Sequence, residues 1–253
     1  MKSYFETDGV TLYHGDMREV LPALGGRADL VCTDPPYGET NLAWDRWVDG
    51  WPALAAAAGS SMWCFGSFRM YQKHGSEFAD WKFSQDVVWE KHNGSGMHAD
   101  RFRRVHELVV HWYRGAWGEC YKHPPTVRLP DVDPRSRRAP RPARRPAQFG
   151  TQTPGRDDDY RDDGTRLIRS VFRAKQIQGG GPTQKPVGIL AALIEYACPP
   201  GGLVLDLFGG RGSTAVAARQ LGRRATLIEA DERECEHAAR RLAQGSLDLA
   251  GTP

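Results

Sequence analysis

The sequence predicts an α/β fold with a mostly parallel sheet, and three observations predict it. Short apolar runs bounded by turn residues alternate with segments of helical period at both ends of the chain, as parallel strands with crossover helices require. One such run, residues 203–208, leads directly into Gly209-Gly-Arg-Gly212 and an alanine-rich helical stretch. Another, residues 28–33, leads into Asp34-Pro-Pro-Tyr37. At 253 residues the chain can hold one such domain with an insertion, and it is too short for two catalytic domains.

In order, residues 10–13 read as a strand, Met17–Leu24 as a helix and residues 28–33 as a buried strand. A helix over Trp51–Ala58 follows, then strands at residues 61–65, 86–89 and 107–113. The composition then changes. Residues 133–146 carry six arginines and four prolines, a mixture that cannot pack a core and reads as an exposed basic loop. Asp157, Asp158, Asp159, Asp162 and Asp163 follow, so a self-neutralising linker is the alternative to a loop that contacts nucleic acid. Regular structure resumes near Leu167. The tail returns to α/β order, with a helix over Val187–Ala197, a strand at 203–208, a helix at 213–221, a strand at 225–229 and a last helix at 232–242. The expected organisation is a catalytic half over residues 1–114, an insertion over 115–180 and a cofactor-binding half over 181–253.

Bulk properties exclude several classes. The formal charge is +3, from 34 basic and 31 acidic side chains, so charge distribution matters more than its sum. Five cysteines lie far apart without metal spacing, which favours the reducing cytoplasm and no metal. No apolar run long enough for a membrane span or export signal is visible, so no membrane association is expected. His14, His92, His106 and His111 show no ligand spacing and read as packing or surface residues. Trp44, Trp47, Trp51 and Trp63 read as core and loop anchors.

The glycine turn permits close backbone approach to a ligand at a helix N-terminus, although an ordinary strand-to-helix connection has the same outline. The next strand ends in Glu229, about the twenty-residue distance at which a Rossmann-like sheet presents an acid to a ribose diol. Ala215 stands where a dinucleotide fingerprint has its third glycine, so a nucleoside cofactor fits at least as well as a pyrophosphate.

At the other turn, Pro35 and Pro36 fix the backbone and leave the Pro35 carbonyl as an acceptor beside the Asp34 carboxylate. That pair can align one amino group and relieve the positive charge that grows on its nitrogen during attack on a methyl sulfonium. Tyr37 offers a face for stacking, and an Asp-Pro-Pro turn with a packed tyrosine is the plain alternative.

These motifs and their order resemble the DNA amino-methyltransferases, specifically the permuted group often called beta. There a catalytic Asp-Pro-Pro-Tyr precedes a Phe-x-Gly-x-Gly cofactor motif, as Asp34 to Tyr37 precede Phe208, Gly210 and Gly212 here. Leu12-Tyr-His-Gly-Asp16, Trp44-Asp45, Val88-Trp-Glu-Lys-His-Asn93, His106-Glu107 and Pro182-Thr-Gln-Lys-Pro186 extend the likeness to nearly everything but about residues 115–165. The resemblance implies a Rossmann-like, S-adenosylmethionine-dependent methyltransferase fold in circularly permuted order, with an inserted target-recognition region.

It further implies that Asp34, Pro35, Pro36 and Tyr37 handle a flipped base. Phe208, Gly210 and Gly212 would pack on S-adenosylmethionine, with S-adenosylhomocysteine as product. Glu229 would hold its ribose, Asp16 would sit near its adenine, and Thr183 and Lys185 near its methionine end; Asp206 and Thr214 belong to the same set. Trp89, Lys91 and Asn93 match a segment lining the target side, and Arg101, Arg103 and Arg104 supply cations for phosphates of double-stranded DNA. Two departures stand out: Arg211 where serine is usual, and Gly181 where histidine is common.

In that family aspartate at the first motif position is usual for adenine, and serine for the cytosine amine, so adenine is the expected target. Readings kept open are a cytosine-amine enzyme, an RNA or protein acceptor, a silent DNA-binding relative and a dehydrogenase. A homodimer is the family expectation. With residues 10–13 expected beside the last strand of the sheet, the two chain ends should lie close together.

Overall fold

The computed structural model describes residues 1–95, 99–128, 165–174 and 184–250. They fall into two units, Met1–His123 with Arg169–Pro253, and Pro124–Ile168.

The large unit opens with β1 (Phe5–Thr7), β2 (Val10–His14), α1 (Met17–Leu24) and β3 (Leu30–Thr33). Helix α2 (Trp51–Ala58), β4 (Ser61–Gly66) and α3 (Phe68–His74) follow, and then the long strands β5 (Lys82–Ser95) and β6 (Arg104–Tyr113). The small unit contributes β7 (Thr126–Arg128) and β8 (Thr165–Leu167), paired antiparallel with Thr126 opposite Leu167. The chain returns to the large unit through β9 (Val171–Arg173), α4 (Val187–Ala197), β10 (Leu203–Asp206), α5 (Ser213–Gln220), β11 (Arg224–Glu229) and α6 (Glu232–Ala250).

The large unit's sheet runs β1-β2-β11-β10-β3-β4-β6-β5-β9. Its centre, from β2 to β4, is parallel, whereas β1 and the β6–β5 pair are antiparallel additions. Strands covered on both faces need apolar residues at every position, which is why β3 and β4 are buried throughout. Alternate residues of β3 supply the two cores. Leu30 and Cys32 pack with α4, α5 and α6, and Val31 packs with Trp51, Met62 and Phe78 on the other face.

The permuted order has a direct consequence. Strands β10 and β11, from the end of the chain, sit between β2 and β3, from its beginning. Ala225 to Glu229 pair with Val10 to His14, as expected of a first strand that completes the sheet of the last ones. Helix α6 packs against β1 and β2.

Several boundaries differ from the sequence reading. Strand β3 begins at Leu30 because Ala28 makes only an isolated bridge to Gly59. Strand β10 stops at Asp206, whose carboxylate takes the Phe208 N–H and turns the chain. Strands β5 and β6 extend beyond residues 86–89 and 107–113, because cross-strand backbone bonds carry them through polar residues that hide the alternation. Residues 101–104 lie in the β5–β6 connection and at the start of β6. Helix α6 continues to Ala250 rather than stopping at residue 242. Part of the expected insertion is not separate, since β9 pairs in parallel with β5 at the sheet edge. The arginine-rich segment at 133–146, the aspartate run after it, and Thr183 lie outside the described residues. Among the described residues no helix is long and apolar enough to cross a membrane.

Candidate active site

From β10 the chain crosses through α5 to β11 on one side, and from β3 it crosses through α2 to β4 on the other. Neighbouring strands whose connections leave in opposite directions open a crevice at their carboxyl ends, the place where α/β sheets hold ligands. Both sequence motifs end there: Asp34 follows β3, and Phe208 to Gly212 follow β10. A buried stitch fixes the two strand ends. The Thr33 hydroxyl donates to Asp206 Oδ1 at 2.9 Å and the Thr214 hydroxyl donates to Oδ2 at 2.6 Å. The Leu207 N–H in turn donates to Thr33 Oγ1 at 3.2 Å. Burial pushes the Asp206 carboxyl up to about 6, against the hydrogen bonds that favour its charge. Asp206 and Thr214, expected among the cofactor contacts, are thus buried and engaged with each other beneath the loop.

The glycine loop is built for close approach. Gly212, at φ 74°, starts α5 in the left-handed region, and a Cβ there would sit 3.4 Å from both Ala238 and Leu242 of α6. Gly210, at φ 47°, points its missing side chain into open space, with nothing within 4 Å, and donates its N–H to Glu229 Oε2 at 2.7 Å. Glu229 Oε1 takes the Asp231 N–H at 2.8 Å, while burial raises this carboxyl above its ordinary range. The loop and the acid are therefore one hydrogen-bonded unit. Phe208 packs edge-on against Trp51 with ring centroids 5.8 Å apart. Arg211, the departure from serine, points away to pair with Glu234 of α6 at 2.8 Å. Beside Glu229, Gly15 donates to its carbonyl at 2.9 Å, which brings Asp16 to the same edge of the sheet. There Asp16 caps α1 through the Arg18 N–H at 2.8 Å and pairs with the Arg18 guanidinium at 2.5 Å.

At the end of β3, Asp34 stands at the centre of a chain of charges. Its Oδ1 accepts the Tyr37 hydroxyl at 2.8 Å, and its Oδ2 accepts the Lys185 ammonium. Lys185 also lies 3.5 Å from Glu107 Oε2, and Glu107 Oε1 accepts the Lys91 ammonium. Two carboxylates and two ammonium groups thus alternate from β3 to β5. Both ammonium groups lie over the Trp89 ring, Lys91 at 4.9 Å and Lys185 at 6.0 Å from its centroid, and Lys185 is 5.2 Å from that of Phe65. Burial raises the Asp34 carboxyl, with Lys185 opposing and Glu107 adding to the shift. Burial acts the same way on Glu107, but Lys185 and Lys91 together bring it below the usual glutamate range. The Pro35 carbonyl accepts no hydrogen bond within the described residues, so it is available to a donor beside Asp34.

The loop after Tyr37 is held by Asp45, whose carboxylate accepts the N–H groups of Gly38, Glu39 and Thr40 at 2.8, 3.0 and 2.7 Å. This explains Asp45 as a loop anchor. Its neighbour Trp44 is 55% exposed, contrary to the expectation of core or anchor, whereas Trp51 and Trp63 are buried.

Of the residues expected on the DNA side, Trp89 is buried, and its indole N–H donates to the Ala174 carbonyl at 3.0 Å. It supports the two ammonium groups rather than offering a face to solvent. Lys91 is spent on Glu107. The backbone of Asn93 belongs to β5, and its side chain lies outside the described set. Arg101 and Arg103 are exposed, the former paired with Asp100 at 2.6 Å, and Arg104 reaches Glu39 at 3.4 Å. In the sequence Glu107 stands out only through the His106-Glu107 match. Its place between two lysines depends on the register that sets Trp89 opposite Glu107, which no local pattern shows.

Comparison with known proteins agrees with this geometry. The chain is 26% identical to the type II methyltransferase M.ScaI of Streptomyces caespitosus, over 95% of this chain and 84% of that one. Its fold matches the crystal structure of the M1.HpyAVI-SAM complex with a TM-score of 0.62 at 19% identity, covering 92% of this chain and 99% of the other. It matches PvuII DNA methyltransferase, a cytosine-N4-specific enzyme, with a TM-score of 0.60 at 14% identity, covering 95% and 88%. The family model described as DNA methylase, grouping N6 and N4 methyltransferases, matches residues 28–240, and the chain belongs to that family.

Proposed function

We propose that this chain transfers a methyl group from S-adenosylmethionine to the exocyclic amine of adenine in double-stranded DNA. The observation that carries the reading is the Thr33–Asp206 stitch, which holds the Asp34 carboxylate and the glycine loop at one crevice. The loop suits a nucleoside: Gly210 leaves open space where a side chain would intrude, and the Glu229 carboxylate beside it can accept from a ribose diol. When bound there, S-adenosylmethionine would supply an electrophilic methyl on a positive sulfur.

The chain's own residues do the rest. Asp34 and the Pro35 carbonyl accept the two N–H bonds of the target amine, aligning its nitrogen and offsetting the positive charge that develops there. A base in a duplex cannot reach this crevice without rotating out of the stack, at about a few kcal/mol, and a face of Tyr37 beside it offsets part of that cost. Phosphate contacts are assigned to Arg101, Arg103 and Arg104, and target reading to residues 115–180. Lys91 and Trp89 hold the catalytic cluster from behind. Adenine is preferred because Asp34 occupies the position where the cytosine-directed relatives more often carry serine.

The test is transfer of labelled methyl from S-adenosylmethionine to unmethylated genomic DNA by wild type and Asp34→Ala, followed by nucleoside analysis. N6-methyladenine from the wild type alone is the expected result. N4-methylcytosine would keep the mechanism and change the base, in line with the likeness to PvuII methyltransferase. No incorporation by a protein that binds the cofactor would overturn DNA as the acceptor.

A further inference from the structure

We propose that Glu107 is a positioning residue for transfer: it draws the Lys185 ammonium off Asp34, so that the Asp34 carboxylate meets the target amine with its charge uncompensated. The inference rests on the reading of Asp34 as the acceptor for that amine.

The geometry offers Lys185 two acceptors. Nζ touches Asp34 Oδ2 and stands 3.5 Å from Glu107 Oε2, an ion-pair distance beyond a good hydrogen bond. That Oε2 is buried and takes no hydrogen bond within the described residues, while Oε1 is occupied by Lys91. A buried carboxylate oxygen left this way favours any donor that can reach it. A shift of under ~1 Å would bring Nζ into range. Nζ already lies 5.2 Å from the Phe65 ring centroid and 6.0 Å from that of Trp89, so the short move starts beside two aromatic faces that favour a cation.

The chemistry requires such a move. The attacking amine nitrogen becomes positive, and an ammonium on the same carboxylate opposes it as a like charge within a few ångströms. With Lys185 on Glu107, that opposition falls. Lys91 completes the arrangement by holding Glu107 from the far side. The other titratable groups facing Asp34 do not substitute for this exchange. Burial keeps Cys32, Cys64, Tyr37 and Tyr71 neutral, and Asp206 is engaged by Thr33 and Thr214.

The test is the pH profile of kcat for methyl transfer to DNA by wild type, Glu107→Gln and Asp34→Asn, with calorimetric S-adenosylmethionine binding to show that each is folded. Glu107→Gln is expected to lower kcat on the order of 100-fold, the cost of a catalytic group misplaced by about 1 Å. Its acid limb should also move to lower pH, because Asp34 loses the carboxylate that raises it and keeps Lys185. A role in folding alone would not shift that limb. If Glu107→Gln does not fold, Lys91→Gln in the same assay should move the limb to higher pH. An unchanged kcat, or a lowered kcat with the limb unmoved in the folded variant, overturns the inference while Asp34→Asn remains inactive. An active Asp34→Asn sinks the underlying reading of Asp34 itself.

Discussion

The Thr33 hydroxyl donates to the Asp206 carboxylate at 2.9 Å across 173 residues of chain, and with the Leu207 N–H bond to Thr33 Oγ1 it joins the strand that leads into Asp34-Pro-Pro-Tyr37 to the strand that leads into the glycine loop. The two turns that it links come from opposite halves of the chain. The contact makes a direct expectation. Thr33→Val keeps the shape of the side chain but leaves Asp206 short of a donor and the Leu207 N–H without its acceptor. Each such buried loss costs about 1–3 kcal/mol. Thermal unfolding should show a fall of roughly 2–4 °C per kcal/mol for a chain of this size. A variant as stable as wild type would mean that the strand ends are held by other contacts.

Asp206 also sets a pH dependence. Burial raises its carboxyl from 3.8 to about 6, so the fold holds the proton more tightly than the unfolded chain does. The stability that this group contributes is therefore complete below about 3.8 and is lost as the pH climbs to about 6, a change of about 3 kcal/mol. Asp206→Asn does not titrate. Measured by thermal unfolding from pH 4 to 8, the variant should gain on wild type up to about 6 and run parallel to it above. A constant difference across the whole range would contradict the raised carboxyl.

Glu229 ties the glycine loop to the strand that follows it, through the N–H groups of Gly210 and Asp231. Glu229→Ala should weaken S-adenosylmethionine binding at least ~10-fold, since a hydrogen bond to a charged group contributes about 1.5–3 kcal/mol. Calorimetry reads this directly. Glu229→Gln, which keeps one oxygen acceptor, should fall between the two. Equal affinity in all three would remove Glu229 from the cofactor site.

Arg103 is exposed between the long strands of the β5–β6 pair. As a phosphate contact, it should affect all sequences alike. Arg103→Ala is expected to weaken DNA binding and to lower the slope of log affinity against log salt by about 1. A loss confined to one target sequence would instead make Arg103 a base-reading residue.

How much of this was legible beforehand follows from the range of the interactions. Residues 10–13, Met17–Leu24, Trp51–Ala58 and Val187–Ala197 could be placed because apolar period and turn residues act within one element. The two motifs could be read because a diproline turn and a glycine turn constrain their own backbones. Even the place of residues 10–13 beside the last strand could be anticipated, and Ala225 to Glu229 do pair with Val10 to His14. The polar ends of β5 and β6 could not, since backbone bonds to a partner strand keep Glu90 and His106 extended against a pattern that does not alternate.

The sequence by itself determined much of the strand-and-helix order and set the Asp34-Pro-Pro-Tyr37 and glycine turns at strand ends, because those depend on residues adjacent in the chain. Only the tertiary structure decided what each side chain faces. Trp89 is a buried floor, Asp206 and Thr214 are a stitch, and Glu107 lies between Lys91 and Lys185. Those outcomes depend on the register of β5 against β6 and on the place of β10 beside β3, pairings between distant segments that short-range propensity does not encode.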